Sequence, residues 1–155
     1  MEKFCVNVYI ETSIKGPRAR EAAGEWLVEF TTSKGIPVTR NGIIWKEKST
    51  ENALVLELLR DALSILTKTC SIQVNTQCLH VFYAIKNIWP DKWKNDGWVN
   101  AKGKPVSNAV LWQQAYKFIK KHSVMMVSEP HKYQDVMQHD IKKEMEKVHV
   151  EGLSE

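Results

Sequence analysis

From Phe4 to Ile10 apolar and polar residues alternate, with Phe4, Val6, Val8 and Ile10 on one side. That is the period of a strand with one buried face. A second extended run, GEWLVEFTT (24–32), is followed by the turn SKGIP and by a third run, VTRNGIIWKEK (38–48), in which Asn41-Gly42 signals a turn or bulge. Three successive strands on short turns make an antiparallel meander. The period then lengthens. In STENALVLELLRDALSILTK, behind a cap at Ser49 or Thr50, Leu54, Val55, Leu58, Leu59, Ala62, Leu63 and Leu66 share one helical face. CSIQVN (70–75) reads as a short buried strand, and TQCLHVFYAIKNIW (76–89) as a helix stopped by Pro90. A loop-rich insertion around Gly97 and Gly103 leads into a helix, SNAVLWQQAYKFIKKH, then a strand, SVMMVSE, and a last helix, QDVMQHDIKKEMEKV (134–148).

The order β-β-β-α-β-α-α-β-α predicts an α/β fold, a mixed five-stranded sheet with helices on its faces. It predicts one domain over residues 1–148, with 149–155 fraying as a tail. At 155 residues, 43% hydrophobic and 26% charged, the chain has the size and composition of one soluble globular domain. No apolar run approaches the roughly 18 residues of a membrane span, and the start lacks the apolar stretch of a signal peptide. A cytoplasmic location and no membrane partner are expected. Cys5, Cys70 and Cys78 show no CxxC spacing and read as reduced thiols rather than zinc ligands.

Charge changes the picture. The total is +4, but between Lys86 and Lys121 eight lysines face only Asp91 and Asp96, so this segment carries +6 and the remainder −2. Lysines alone would suit a solvated basic face. Interleaved with Trp89, Trp93, Trp98 and Trp112 they suit a sugar-phosphate backbone. Trp112, within a helix, and Trp89, at a helix end, read as core residues; Trp93 and Trp98, in the loop, read as contacts.

Over IWPDKWKNDGWVNAKGKPVSNAVLWQQA the chain resembles ribonuclease H of the bacterial type 1 kind, with Trp89, Lys94, Gly97, Trp98, Lys104, Pro105, Val106, Asn108, Leu111 and Trp112 on that family's pattern. Weaker matches extend from residue 4 to about 145. The resemblance implies a ribonuclease H-like fold. It also implies that this segment is a basic protrusion gripping the DNA strand of an RNA–DNA hybrid, with Lys92, Trp93, Lys94, Trp98, Lys102 and Lys104 as contacts. Thr50, Asn52 and Gln77 fall where the family touches a DNA phosphate or the RNA minor groove, although helix capping accounts for small polar residues there too.

The family's chemistry is hydrolysis with two divalent ions held by four carboxylates. Glu11, in YIETS, keeps the first acid with one more methylene. Val55 stands at the second, Asn75 at the third, and Asp140, in QHDIKK, is assigned to the fourth. His131 matches the family's loop histidine, a position that a merely solvated histidine could also fill. Glu51, one helical turn before Val55, is the acid that could replace it. The metal ligands implied are therefore Glu11 and Asp140, holding Mg²⁺ or Mn²⁺ weakly, if at all.

Three functions follow. The first is a nucleic-acid-binding domain for an RNA–DNA hybrid or structured duplex with weak or lost hydrolysis. The second is an active ribonuclease H whose site has shifted to Glu11, Glu51 and Asp140 with Asn75 assisting. The third is a protein-interaction scaffold.

Overall fold

A computed structural model describes residues 4 to 153. Strands β1 (Phe4–Thr12), β2 (Arg20–Thr31) and β3 (Pro37–Ser49) form the expected meander, followed by helix α1 (Glu51–Ser64) and strand β4 (Cys70–Asn75). Helices α2 (Leu79–Lys86), α3 (Trp89–Asn95) and α4 (Ala109–Ile119) precede strand β5 (Ser123–Val127) and helix α5 (Gln134–Leu153). The sheet runs β3-β2-β1-β4-β5, antiparallel through the meander and parallel from β1 to β4 and β5. No described helix is long and apolar enough to cross a membrane.

Alternation along the strands assigns the two faces. Gly24 and Glu25 are neighbours on β2 and so point to opposite sides. On the Gly24 side lies α1, so close that a Cβ there would stand 2.6 Å from Leu58 Cδ1 and 3.0 Å from the Glu11 carbonyl oxygen. Glycine is required by that approach. This side holds the main core, including Val6, Val8, Ile10, Leu54, Leu58 and Trp112. On the Glu25 side lies α5, which buries Met137 and Ile141.

Several boundaries differ from the sequence reading. Pro90 opens α3 instead of ending a helix, because a proline in the first turn lacks an N–H that would have no partner anyway. The break between α2 and α3 is Ile88, left-handed at φ 53°. The insertion therefore contains a helix of its own, one more among the described residues than the expected order has. Asn41-Gly42 lies inside β3 without turning it. Gly42 leaves room for the Trp26 ring, and the register shift falls between Arg20 and Ala22. Helix α5 continues past Val148 to Leu153, where fraying was expected, and His149 Nε2 meets Glu21 Oε2 at 2.6 Å.

Candidate active site

Glu11 sits near the end of β1, where β1, β4, α1 and α5 converge, and is 6% exposed. Both its oxygens are taken. Gln138 Nε2 donates to Oε1 at 2.9 Å and to the Thr12 carbonyl at 3.1 Å. His131 Nε2 lies 3.0 Å from Oε2. Because His131 Nδ1 accepts the Tyr133 backbone N–H at 3.2 Å, the proton belongs on Nε2, which donates to the carboxylate. The His131 side chain is 4% exposed and stacks on Tyr9 with ring centroids 4.5 Å apart. It is a fixed part of the site and not a solvated loop residue.

The loop bearing His131 is itself fastened to β2. Tyr133 donates its hydroxyl to Glu29, and Lys132 Nζ stands 2.9 Å from the same oxygen. Burial works against the Glu29 charge, but these two donors outweigh it and hold the carboxyl below its ordinary range.

Around Glu11 the three positions matched to the family's other carboxylates, 55, 75 and 140, bring no second acid to the pocket. Val55, on α1, is buried at the wall of the same pocket. Asn75, at the end of β4, is 7% exposed, and its Oδ1 has no hydrogen-bond partner among the described residues. Asp140 is not among the residues that line the Glu11 pocket. Met137 and Ile141 define the buried face of α5, so 138 and 140 flank it on opposite sides. Gln138 thus turns to Glu11, and Asp140 turns to Glu25 on β2. The α5 residue beside Glu11 is an amide where an acid was assigned.

Glu25 is wholly buried, its Oε2 accepting from Asn41 Nδ2 at 2.8 Å. Burial pushes its carboxyl up to about 7, the Asn41 bond opposes the rise, and the Asp140 charge adds to it. Among the described residues Oε1 meets no hydrogen-bond donor.

Glu51 does line the Glu11 pocket, but its Oε1 accepts the Gly16 backbone N–H at 3.0 Å, clipping α1 to the β1–β2 turn. Among the described residues no three of His, Cys, Asp and Glu are grouped to hold a metal ion. Magnesium needs near-octahedral oxygen ligands and negative charge. Glu11 with both oxygens in hydrogen bonds, Glu51 tied to the Gly16 N–H and the Asn75 amide oxygen do not meet that need. The site does not fit the pair of divalent ions that the resemblance implies.

The pocket beside Glu11 has a volume of about 470 Å³ and is edged by Lys15, Arg20, Gln77 and Gln134. Gln77 Oε1 receives Lys15 Nζ at 3.5 Å. Nearby, Thr50 caps α1 through the Ala53 N–H at 3.3 Å, and Asn52 Oδ1 accepts from Cys78 Sγ at 3.2 Å. Thr50 and Asn52 therefore have local structural work of their own.

The basic segment forms an arm on α3 and α4. Lys92, Lys94, Lys102 and Lys104 are all exposed. Trp93 and Trp98, expected as free contacts, pack against the core, edge-on to Trp112 and Tyr116 at 5.2 and 5.7 Å. Trp112 is fully buried, whereas Trp89, expected inside, is 38% exposed because α3 starts there on the outside of the arm. Asp91 anchors the arm by accepting from Tyr116 Oη at 2.8 Å and Lys120 Nζ at 2.9 Å.

Sequence reasoning passed over Gln138, Glu25, Glu29, Lys15 and Arg20. The available signal for Gln138 was the Met137/Ile141 pair, whose spacing fixes the inner face of α5.

The RNase H family model matches residues 5–147. A ribonuclease H of Clostridium botulinum is 37% identical over 79 residues, which are 51% of this chain and 53% of that protein. The chain thus spans about half the length of the curated relative it matches. The crystal structure of LC9-RNase H1, a type 1 RNase H with the type 2 active-site motif, superposes with a TM-score of 0.74 at 20% identity, covering 90% of this chain and 71% of that one. The foamy viral protease-reverse transcriptase in complex with RNA/DNA hybrid gives 0.63 at 14% identity, over 83% of this chain and 17% of that one. At such identities the two structures establish the fold.

Proposed function

The chain belongs to the ribonuclease H family, and on that premise we propose that it binds nucleic acid, an RNA–DNA hybrid or a structured duplex, with weak or no hydrolytic activity. The observation that carries this reading is the state of Glu11. Its two oxygens are committed to Gln138 and His131, and Val55 and Asn75 stand where further carboxylates would be required. Two-metal hydrolysis needs carboxylates to cancel the ions' charge and set their geometry. The exposed lysines of the arm, by contrast, are free to meet phosphates, and a relative in fold, the foamy viral enzyme, has been seen with an RNA/DNA hybrid.

Glu51 is the feature favouring an active enzyme, since it lines the same pocket; its bond to Gly16 counts against recruitment. A cleavage assay on a labelled hybrid in Mg²⁺ and Mn²⁺, run beside a binding titration, separates the readings. Salt-sensitive binding without cleavage is expected. Turnover in the usual enzyme range of ~1–10³ per second, abolished by Glu11→Gln, would establish the active enzyme instead. Failure to bind any duplex would leave an interaction scaffold.

A further inference from the structure

We propose that the pocket beside Glu11 takes a phosphodiester group directly, gripped by Lys15 and Arg20 with no divalent ion between them. This rests on the nucleic-acid reading above and names what its degenerate site would hold.

The pocket, at about 470 Å³, lies within the ~300–1,000 Å³ range of ordinary ligand sites. Its polar atoms are unevenly satisfied. Glu11 already accepts from Gln138 and His131, and Glu51 accepts from the Gly16 N–H, so the acids offer little to an incoming cation. The cations are the groups with capacity left. Among the described residues Lys15 Nζ hydrogen-bonds only to the neutral Gln77 oxygen, at a long 3.5 Å, and Arg20 pairs with no acid. A ligand entering here meets donors and must itself be an acceptor.

The geometry is held in advance. Thr12 Oγ1 donates to the Ile14 carbonyl at 2.7 Å, the Ala23 N–H to Ser13 Oγ at 3.0 Å, and Gly16 is tied to Glu51 while bending at φ 89°. These bonds fix the turn that carries Lys15 on one side and leads to Arg20 on the other. A guanidinium can fork across two phosphate oxygens, and an ammonium adds a point charge. Charge selects the ligand class as well. Two carboxylates and two cations leave the pocket formally neutral, so a singly charged diester is accommodated more readily than a doubly charged phosphate monoester or free phosphate.

The test is a fluorescence-anisotropy titration of a short RNA–DNA hybrid, in EDTA and in Mg²⁺, at several salt concentrations. The parent should bind equally with and without the divalent ion. Lys15→Ala/Arg20→Ala should weaken binding and lower the slope of log K against log salt by about 0.9, one phosphate contact. Lys15→Arg/Arg20→Lys should restore both, which excludes misfolding as the cause. Inorganic phosphate should compete no better than sodium chloride of equal ionic strength. The proposal is overturned if the alanine variant keeps the parent's affinity and slope, if EDTA abolishes the parent's binding, or if phosphate competes beyond its ionic strength. A parent with no affinity for hybrid would overturn the functional reading along with it. An unchanged alanine variant of a binding parent overturns the pocket alone.

Discussion

Gln138 and a glutamate at the same position differ by one terminal group, yet that group decides what Glu11 faces. The amide donates to the carboxylate at 2.9 Å; an acid there would repel it. Gln138→Glu alone should therefore destabilise the fold by about 1–3 kcal/mol near neutral pH, read from the urea midpoint. Combined with Val55→Glu and Asn75→Asp, the same change should create Mn²⁺ affinity visible by titration calorimetry, and Mn²⁺ should raise the melting temperature. Each change alone should do much less, because grouped carboxylates act together. Glu25 makes a second, separate case. Its carboxyl is raised to about 7 in the fold, so between an ordinary carboxylate pKa and 7 the folded state holds the extra proton and stability declines as pH rises. Glu25→Gln keeps an acceptor for Asn41 and removes the ionisation. It should be more stable than the parent by about 2 kcal/mol at pH 8, with the gain vanishing near pH 4. An equal difference at both pH values would rule out this linkage. None of this was legible from residue type: Asp140 is the more obvious acid, and only the rotation of α5 about Met137 and Ile141 assigns it to Glu25 and Gln138 to Glu11.

The arm behaves as one element resting on Trp112. Its lysines project outward while Trp93 and Trp98 face inward, so charge and packing can be altered separately. Lys92, Lys94, Lys102 and Lys104 changed to alanine should leave the unfolding midpoint nearly unchanged. They should weaken hybrid binding and flatten its salt dependence, each lost phosphate contact reducing the slope by about 0.9. A variant that binds with the parent's slope would show the arm to be a solvated basic face. The arm's root, Ile88, is a β-branched residue in the left-handed region and 67% exposed, so it combines backbone strain with little burial. Ile88→Gly should stabilise the protein by about 1 kcal/mol in a denaturant titration. The strands and α1 were readable because periods of 2 and 3.6 dominate there. The arm was harder to read, because a proline marks both the end of one helix and the start of another, and its meaning depends on how Ile88 turns the chain.

At the scale of the whole molecule the mixed sheet and its covering helices follow from hydrophobic spacing, as the meander, the α1 core and the crossover strands show. The closing of the site does not. It depends on α5 crossing β1 and β2 on the far face and on Tyr133, Lys132 and Glu29 fastening the His131 loop, contacts between residues some hundred positions apart in sequence. Local patterns carry no trace of such pairs. The charge distribution, however, is a property of the whole that the sequence states outright: a segment at +6 on a body at −2. Such a molecule is an electric dipole, and its consequence lies in time rather than in strength. A polyanion would turn it while still a Debye length away, about 8–10 Å at ordinary salt, so that it arrives arm first. The association rate constant in stopped flow should then fall steeply as salt is added, and the dissociation rate constant should change much less.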